Sequence, residues 1–593
     1  MTRSPTRIDL RADAYETITS ETAIHLPQET GGILLGYQED GTIVATHALV
    51  VEGEGATTNR YVRDDERANK LLKDFLGARA DDDPIGYVGE WHSHPYPARP
   101  STTDHAAIAA TARVSSNPIA LIVFAPGGTG TDSFFGLIGR RQRFGRATTK
   151  TAAVSLPAPR FDQLGPLPAR AVRPDGPVFI SYRQSDGTVQ ADTLEDLLRA
   201  AGLVVWRDGT DLRPGTTTDR LEEALTRGLS AGILVVTPEI AYSDIVRERE
   251  LPRLLQLDAD PGFSLCIANT VARAGDDSKC DYDAPDRLLR LAPMRTLADK
   301  KQANMRQQSG EVEIVRDLLQ HRIEQRKPII RADGRDFTIR VQSRPAPSAL
   351  DAADDDLHIR LKPSDDGRLP SRGGLGLLQK TLPLISDAVY ASGAKSVRVS
   401  GGAHLSVGLA MGAALPETKV GKIVVSDPGD NAWTSDAPLD DPNSTELTIE
   451  PIPIEQEESA TPRGRVAAFV TLTPHPDRTA FEQLLHGSAT GFDAAELISV
   501  GGAQRIDPRE AARLSRAVAQ ELKKLSAASQ GRAEIHLAFH GPFTMAVLIG
   551  RYLNTLRTTV YEWDGDVEEG PRYKPVITLD PGVAGGPIVE VFR

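Results

Sequence analysis

Two histidines, His92 and His94, stand two residues apart at the end of the run Tyr87-Val88-Gly89-Glu90-Trp91, and a carboxylate, Asp104, follows at the head of an Ala-rich segment. Side chains at i and i+2 of a strand share a face, so both imidazoles can reach one ion. Ser101-Thr102-Thr103-Asp104 also reads as a helix capping box, a role compatible with metal binding. Two histidines, one carboxylate and an open water position are the ligand set of a catalytic zinc. Upstream, Pro27-Gln28-Glu29-Thr30-Gly31-Gly32 places a glutamate just before the apolar strand Ile33-Leu34-Leu35.

This arrangement resembles the JAMM (MPN/JAB) metalloprotease family, whose pattern is a distant Glu, then His-x-His, seven residues and Ser-x-x-Asp. Here six residues, Pro95 to Pro100, separate His94 from Ser101. The resemblance implies Glu29 as general base, His92, His94 and Asp104 as zinc ligands, and Ser101 as the oxyanion helper. It implies cleavage of isopeptide bonds at the tail of ubiquitin or a ubiquitin-like protein, or of a related host or phage protein. Zinc would polarise the carbonyl and acidify water while Glu29 moves the proton. The elements that must position these groups form an α+β unit over residues 1–146.

A second candidate carboxylate is Glu250. Before it come the strand Val178-Phe179-Ile180-Ser181-Tyr182 and a helix with Leu194, Leu197, Leu198 and Ala201 at one-face spacing. The strand Val204-Val205-Trp206, the loop Asp208 to Gly215 and the strand Gly232-Ile233-Leu234-Val235-Val236 follow. Continuous apolar strands alternating with amphipathic helices predict a parallel sheet covered on both faces. The order Phe-Ile-Ser-Tyr, Trp206-Arg207-Asp208, Leu212-Arg213-Pro214-Gly215 and a late helix glutamate resembles a TIR domain, with the flavodoxin-like parallel sheet of that family. The resemblance implies NAD as substrate, Glu250 as the catalytic carboxylate, and Phe179, Ser181, Tyr182, Asp208, Leu212, Pro214 and Gly215 as the NAD-binding set. A fixed carboxylate would stabilise the oxocarbenium-like ribose as nicotinamide leaves. Val246 stands where the family's Trp-x-x-x-Glu has Trp. The other reading of Glu250 is a solvated helix face. This unit, with a coupling helix over 310–326, is assigned residues 177–326. The Pro- and Ala-rich stretch 147–176 reads as a semi-stiff linker.

Residues 327–593 carry a weak internal repeat. Ser396 to Ser406 precedes the apolar Val407-Gly408-Leu409-Ala410-Met411-Gly412, and Glu534 to Thr544 precedes Met545-Ala546-Val547-Leu548-Ile549-Gly550. Each copy reads as strand, small-residue turn, helix and second strand. Two Rossmann-like halves would set two helix N-termini at one crevice, which suits a ligand with several phosphates. The repeat, with His-x-Ser-x-Gly-x-Ala-x-Gly in one half and Phe-His-Gly-Pro in the other, resembles the SAVED domain, a fused pair of CARF-like halves. That resemblance implies a cyclic oligonucleotide activator contacted by Gly402, His404, Ser406, His540, Pro542, Phe543 and Thr544. Trp433, Tyr561 and Trp563 are the rings expected to stack on bases; core packing is the alternative for each. The acidic stretches Asp351 to Asp356 and Glu455 to Glu458 read as solvated loops.

Length alone divides the 593 residues into several cores, and 40% hydrophobic with 25% charged residues is an ordinary globular balance. No apolar run reaches the ~18 residues of a membrane helix. Two cysteines make no disulfide framework, which predicts a reducing cytoplasm. A net charge of −13 argues against a duplex nucleic-acid partner.

Together the resemblances predict an α/β multidomain effector of bacterial anti-phage signalling (CBASS). Ligand binding to the third unit would drive head-to-tail self-association into a filament, adjacent TIR-like units would complete an NADase, and a zinc (iso)peptidase would lie in front. The alternative is a ligand-gated JAMM protease whose TIR-like unit is an assembly scaffold. A third, non-enzymatic reading is a ligand-gated scaffold throughout.

Overall fold

A computed structural model of the chain describes residues 5–39, 41–53, 57–58, 61–77, 79, 84–96, 98–126, 133–142, 146–156, 166–206, 223–240, 243, 245–289, 291, 296–345, 355–436, 445–454, 463–473, 478–487, 491–500, 506–529, 532–565 and 570–592. Asp208, Leu212, Pro214 and Gly215 therefore lie outside the described residues, as do 351–354 and 455–458.

The first unit is a closed barrel of seven strands. These are β1 (Arg7–Leu10), β2 (Gly31–Glu39), β3 (Thr42–Val50), β4 (Gly86–Ser93), β5 (Ile119–Ala125), β6 (Ser133–Arg141) and β7 (Ala147–Ser155), in the order β1-β3-β2-β4-β5-β6-β7. Strand β5 is buried along its whole length, as a continuous Ile-Ala-Leu-Ile-Val-Phe-Ala run requires. The linker expected from residue 147 begins instead as β7. Its Ala- and Thr-rich run pairs antiparallel with β6 and parallel with β1, and Val154 drops into the core.

The second unit has five parallel strands: β8 (Val178–Ser181), β9 (Val205–Trp206), β10 (Ala231–Val236), β11 (Ser264–Asn269) and β14 (Lys301–Asn304). The small hairpin of β12 (Ala272–Arg273) and β13 (Asp276–Cys280) stands apart. The sheet order is β14-β11-β10-β8-β9, so the direction of winding reverses between β8 and β10. In such sheets the crevice beyond the carboxyl ends of those two strands is the natural ligand site.

The coupling helix spans Gln308–Asp333, longer than its expected 310–326. Its Ile314, Val315, Leu318 and Leu319 join a core that runs from the helix Gln184–Ala200 into the third unit. The buried Arg322 donates from Nη2 to the Gly176 carbonyl, satisfying a charge that burial would otherwise penalise. At the junction the backbone N–H of His358 bonds the Gly202 carbonyl at 2.8 Å. Gly202, at φ +91°, leaves no room for a side chain, since a Cβ there would stand 2.7 Å from Leu357 Cβ.

The third unit holds two sheets. One comprises β15 (Phe337–Gln342), β16 (Leu357–Arg360), β17 (Ser396–Gly402), β18 (Lys422–Ser426) and β19 (Ala432–Thr434), in the order β16-β15-β17-β18-β19. The other comprises β20 (Leu447–Pro451), β21 (Arg465–Thr471), β22 (Ala494–Val500), β23 (Glu534–His540), β24 (Thr558–Asp564), β25 (Arg572–Leu579) and β26 (Ile588–Val591), in the order β20-β22-β21-β23-β24-β25-β26. Each sheet contains one copy of the repeat as a parallel strand-helix-strand unit: β17, the helix Leu405–Ala414 and β18, then β23, the helix Phe543–Gly550 and β24. Asp356, expected in a solvated loop, is buried. It binds Arg326 and Arg335 and accepts the Thr338 N–H, so it ties the coupling helix to this sheet.

Candidate metal centre, carboxylate crevice and sensor crevice

His92 lies on β4, opposite Gly31 of β2, and His94 follows the strand, its N–H held by the Phe124 carbonyl at 2.7 Å. The helix Thr102–Val114 starts beside them. Ser101 caps it, with its Oγ accepting the Asp104 N–H and its own N–H bonded to the Asp104 carboxylate. Such a cap contributes about 1 kcal/mol and fixes the direction of the carboxylate.

The result is a three-donor cluster. His92 Nε2 is 3.2 Å from Asp104 Oδ1, His94 Nε2 is 3.7 Å from Asp104 Oδ2, and the two Nε2 atoms are 3.3 Å apart. One ligand atom from each lies within 4.8 Å of the others, and among the described residues no other group of three His, Cys, Asp or Glu converges this way. His94 Nδ1 faces the Ala98 carbonyl at 3.3 Å, which turns Nε2 inward as a ligating histidine requires. Two imidazole nitrogens and one carboxylate fit zinc. Burial, followed by the neighbouring His92, lowers the pKa of His94, the direction that favours an uncharged imidazole. Burial opposes ionisation of Asp104, but His92 and the Ser101 N–H outweigh it and hold the carboxyl well below its usual range.

Glu29 belongs to the same place. Thr30 N–H donates to Ser93 Oγ at 3.0 Å and Ser93 N–H to the Thr30 carbonyl at 2.7 Å, so the segment before β2 is fastened to the residue between the two histidines. Burial raises the Glu29 pKa, against the charge of His92 and a hydrogen bond from the Tyr61 N–H. A half-buried carboxyl raised in this way is suited to holding and releasing a proton. The structure thus brings Glu29, His92, His94, Ser101 and Asp104 together.

In the second unit Ser181, the last residue of β8, donates from Oγ to Glu250 Oε2 at 2.6 Å. This bond lies at the reversal point of the sheet. Glu250 closes a single π turn, Val246–Glu250, a geometry concentrated at functional sites. It is 6% exposed, which sets aside the solvated-face reading. Burial pushes its pKa up to about 7, with the Ser181 bond pulling the other way. Val246 fills the core. Phe179 is a buried core ring beside Trp206 and Leu234, and Tyr182 packs half-buried on the opposite core. Only Ser181 of the expected NAD set is seen on Glu250 among the described residues.

In the third unit the two repeat helices cross in backbone contact. A Cβ on Gly408 would meet Phe543 and Ala546, and one on Gly412 would stand 2.0 Å from the Val547 carbonyl oxygen. The helices therefore run in the same direction, with both N-termini at one end. At that end Ser406 N–H donates to Glu562 Oε1 at 2.7 Å across the two halves. His404, fully buried, has Nδ1 on Ser343 Oγ at 2.8 Å and Nε2 facing the Gly367 carbonyl at 3.3 Å. Burial, then the charge of Arg344, brings its pKa down to about 4, so its ring is neutral. Thr544 is buried at the second N-terminus, Pro542 and Phe543 are half-buried, and Gly402 and His540 are exposed.

The three expected stacking rings separate. Trp563 is 56% exposed. Trp433 is a core ring whose Nε1 donates to Asp427. Tyr561 is buried with its hydroxyl on His536 Nδ1 at 2.9 Å, committed to packing rather than to an open face. Residues the sequence did not single out also line this end. Ser343 holds His404, Glu562 caps the first helix, and Arg368 reaches Asp564 of the other half at 3.9 Å. The Gly-Arg turn at Arg368 and the acidic alternation Glu562-x-Asp564 were the available signals, and neither names a partner on another sheet.

Residues 377–579 match the family model of the SMODS-associated and fused to various effectors sensor domain (SAVED), and residues 11–137 match that of the prokaryotic homologs of the JAB domain. The stretch 138–376 lies outside both matches. No curated protein matches the chain. Among solved structures, the SAVED/CARF-domain receptor Cap4 of Acinetobacter baumannii with the cyclic trinucleotide 2'3'3'-cAAA aligns at 14% identity, covering 63% of this chain and 87% of its own, with a TM-score of 0.33. Its complex with 3'3'3'-cAAA aligns at 12% identity over 67% and 87%, also at 0.33. The solution structure of a Desulfitobacterium hafniense protein aligns at 16% identity over 25% of this chain and 92% of its own, with a TM-score of 0.20.

Proposed function

We propose that the chain is a cyclic-oligonucleotide-gated effector of anti-phage signalling whose hydrolase is the centre at His92, His94 and Asp104. The observation that carries this reading is the convergence of those three donors beside Glu29, within residues that match a JAB-domain family and in one chain with a SAVED-matched unit. Bound zinc would supply a Lewis acid for a peptide or isopeptide carbonyl and acidify a water. Glu29 takes the proton of that water on its carboxylate and returns it to the leaving amine. Ser101, whose Oγ already accepts the Asp104 N–H, orients its hydroxyl toward the developing oxyanion. The substrate class is a ubiquitin-like tail or a host or phage protein.

The activator is held at the end of the third unit where the helices Leu405–Ala414 and Phe543–Gly550 begin, with phosphates at the paired helix N-termini. Binding favours head-to-tail stacking of sensor units, a contact that grows into a filament because it does not close.

A second reading is favoured by the Ser181–Glu250 bond at the reversal point of the second sheet. There the second unit is a TIR-type NADase, and Glu250 stabilises the ribose as nicotinamide leaves. Because Glu250 is buried in this state, the activated assembly must open the crevice before NAD enters.

One experiment separates the two. Full-length protein is incubated with zinc and a panel of cyclic di-, tri- and tetranucleotides, and both nicotinamide release and cleavage of ubiquitin-like fusions are read. Ligand-dependent cleavage abolished by Glu29→Gln supports the protease. Ligand-dependent nicotinamide release abolished by Glu250→Ala supports the NADase instead. Neither product with any ligand sinks both.

A further inference from the structure

One carboxylate next to the metal cluster touches no ligand yet contacts every element that carries one. Glu90 lies two residues before His92 on β4, on the same face. Its Oε1 accepts Arg63 Nη1 at 2.8 Å and the Tyr87 hydroxyl at 3.0 Å, and it stands 3.2 Å from Thr111 Oγ1, whose one proton is shared between Glu90 and the Ala107 carbonyl at 3.3 Å. Thr111 is seven residues after Asp104, two turns along the same face of the helix. Strand and helix run in opposite directions, so the Glu90–Thr111 bond is a second pin between them, and the His92–Asp104 contact is the first. Arg63 adds a third element. It bridges Gly53 on the loop after β3, and two residues earlier Tyr61 gives its N–H to Glu29. Arg63 is fixed from the other side by Asp65, at 2.6 Å and 3.0 Å.

We propose that Glu90 is a positioning residue for the metal centre, setting the spacing of the His92–His94 strand, the Asp104 helix and the loop that holds Glu29. The inference rests on the metal-centre reading above. Three donors on one oxygen at the edge of the barrel form a network whose members act together. Its effect on the ion is indirect: with the pin in place the three ligand atoms stay gathered before metal arrives, so less ordering is lost on binding.

The test uses the full-length protein and zinc alone, with affinity measured by competition against a chromophoric chelator and the thermal midpoint of the metal-free form recorded in parallel. Glu90→Gln and Thr111→Val should each weaken zinc binding by roughly 10–100-fold. Thr111→Ser, which restores the hydroxyl, should bind as the wild type does. Thr111→Val keeps the shape of the side chain and serves if Glu90→Gln fails to fold. Wild-type affinity in Glu90→Gln and Thr111→Val overturns the proposal. So does a lowered metal-free midpoint with unchanged affinity, which would make the network merely structural. His92→Ala provides the separate control: if it takes zinc as tightly as the wild type, the metal-centre reading itself fails, whatever Glu90 does.

Discussion

The guanidinium of Arg247 lies over the ring of Tyr15, 5.4 Å from its centroid, and Nη2 donates to the phenol oxygen at 3.3 Å. Tyr15 belongs to the first helix of the barrel, Ala12–His25, and stacks on Phe134. Arg247 is 1% exposed and sits three residues before Glu250 on the same π turn. The barrel that carries the His92, His94 and Asp104 cluster is thus fastened to the element that carries the buried carboxylate. A desolvated cation–π contact stabilises by about 2 kcal/mol. Tyr15→Leu should therefore raise amide hydrogen exchange across 245–257 by roughly thirtyfold, whereas Tyr15→Phe, which keeps the ring, should leave most of the protection. Equal exchange in Tyr15→Leu and wild type would show that the junction holds without this pair.

Metal loading and chemistry separate by residue. His92→Ala and Asp104→Asn should abolish stoichiometric zinc, measured by metal analysis after dialysis. Glu29→Gln should retain the metal and reduce hydrolysis of whichever ubiquitin-like fusion the wild type cleaves by about 10²–10⁴-fold, the usual contribution of a general base.

Glu250 predicts a pH dependence. Its folded pKa is pushed up to about 7 by burial, above the ordinary 4.5, so the folded state binds the proton more tightly than the unfolded one. The sign follows from linkage: the stabilisation is fully present below about pH 4.5 and is lost as pH rises through 7, about 3 kcal/mol in all. Melts across this window should show stability falling more steeply with rising pH in the wild type than in Glu250→Gln. Parallel curves would count against the burial-raised carboxyl.

Gly412 tests the contact between the sensor helices. A Cβ 2.0 Å from the Val547 carbonyl oxygen has no flexible neighbour to displace. Gly412→Ala should cost about 1–3 kcal/mol as overpacking and weaken, by calorimetry, binding of whichever cyclic oligonucleotide of the di-, tri- and tetranucleotide panel the wild type takes. Gly373→Ala, in the helix Arg372–Ser392 with open space around its Cβ, should be neutral or stabilising by about 0.5 kcal/mol. A harmless Gly412→Ala would mean the helices slide rather than lock.

The convergence of His92, His94 and Asp104 was legible because its information is local: His92 lies near the end of a strand with His94 just beyond it, and Asp104 is placed by a cap that is visible in four residues. Glu29 is remote in sequence, but its place before the Gly31-Gly32 strand is also a local pattern. The strand-helix-strand repeats were legible for the same reason. Glu562, Arg368 and Ser343 were not, because each meets its partner across two sheets and no periodicity records such a pairing. Tyr561, Trp433 and Phe179 show the converse. An aromatic on a strand reads the same whether it faces a ligand or a core, and burial decides only once the neighbouring sheet and helices are in place. Asp356 lay at the end of an acidic run, and Arg326 of the coupling helix, Arg335 just after it and the Thr338 N–H make it an internal hub.

Strand β7 determines where the molecule can be divided. Because Ala147–Ser155 pairs with β6 on one side and with β1 on the other, it is the stave that closes the barrel. A fragment ending at residue 146, where composition suggests a joint, would bare the edges of β1 and β6 and expose Ile8 and Ile138, inviting edge-to-edge association. Dissection of the barrel unit from the rest must cut after Leu156, and results from shorter pieces would report on an opened barrel.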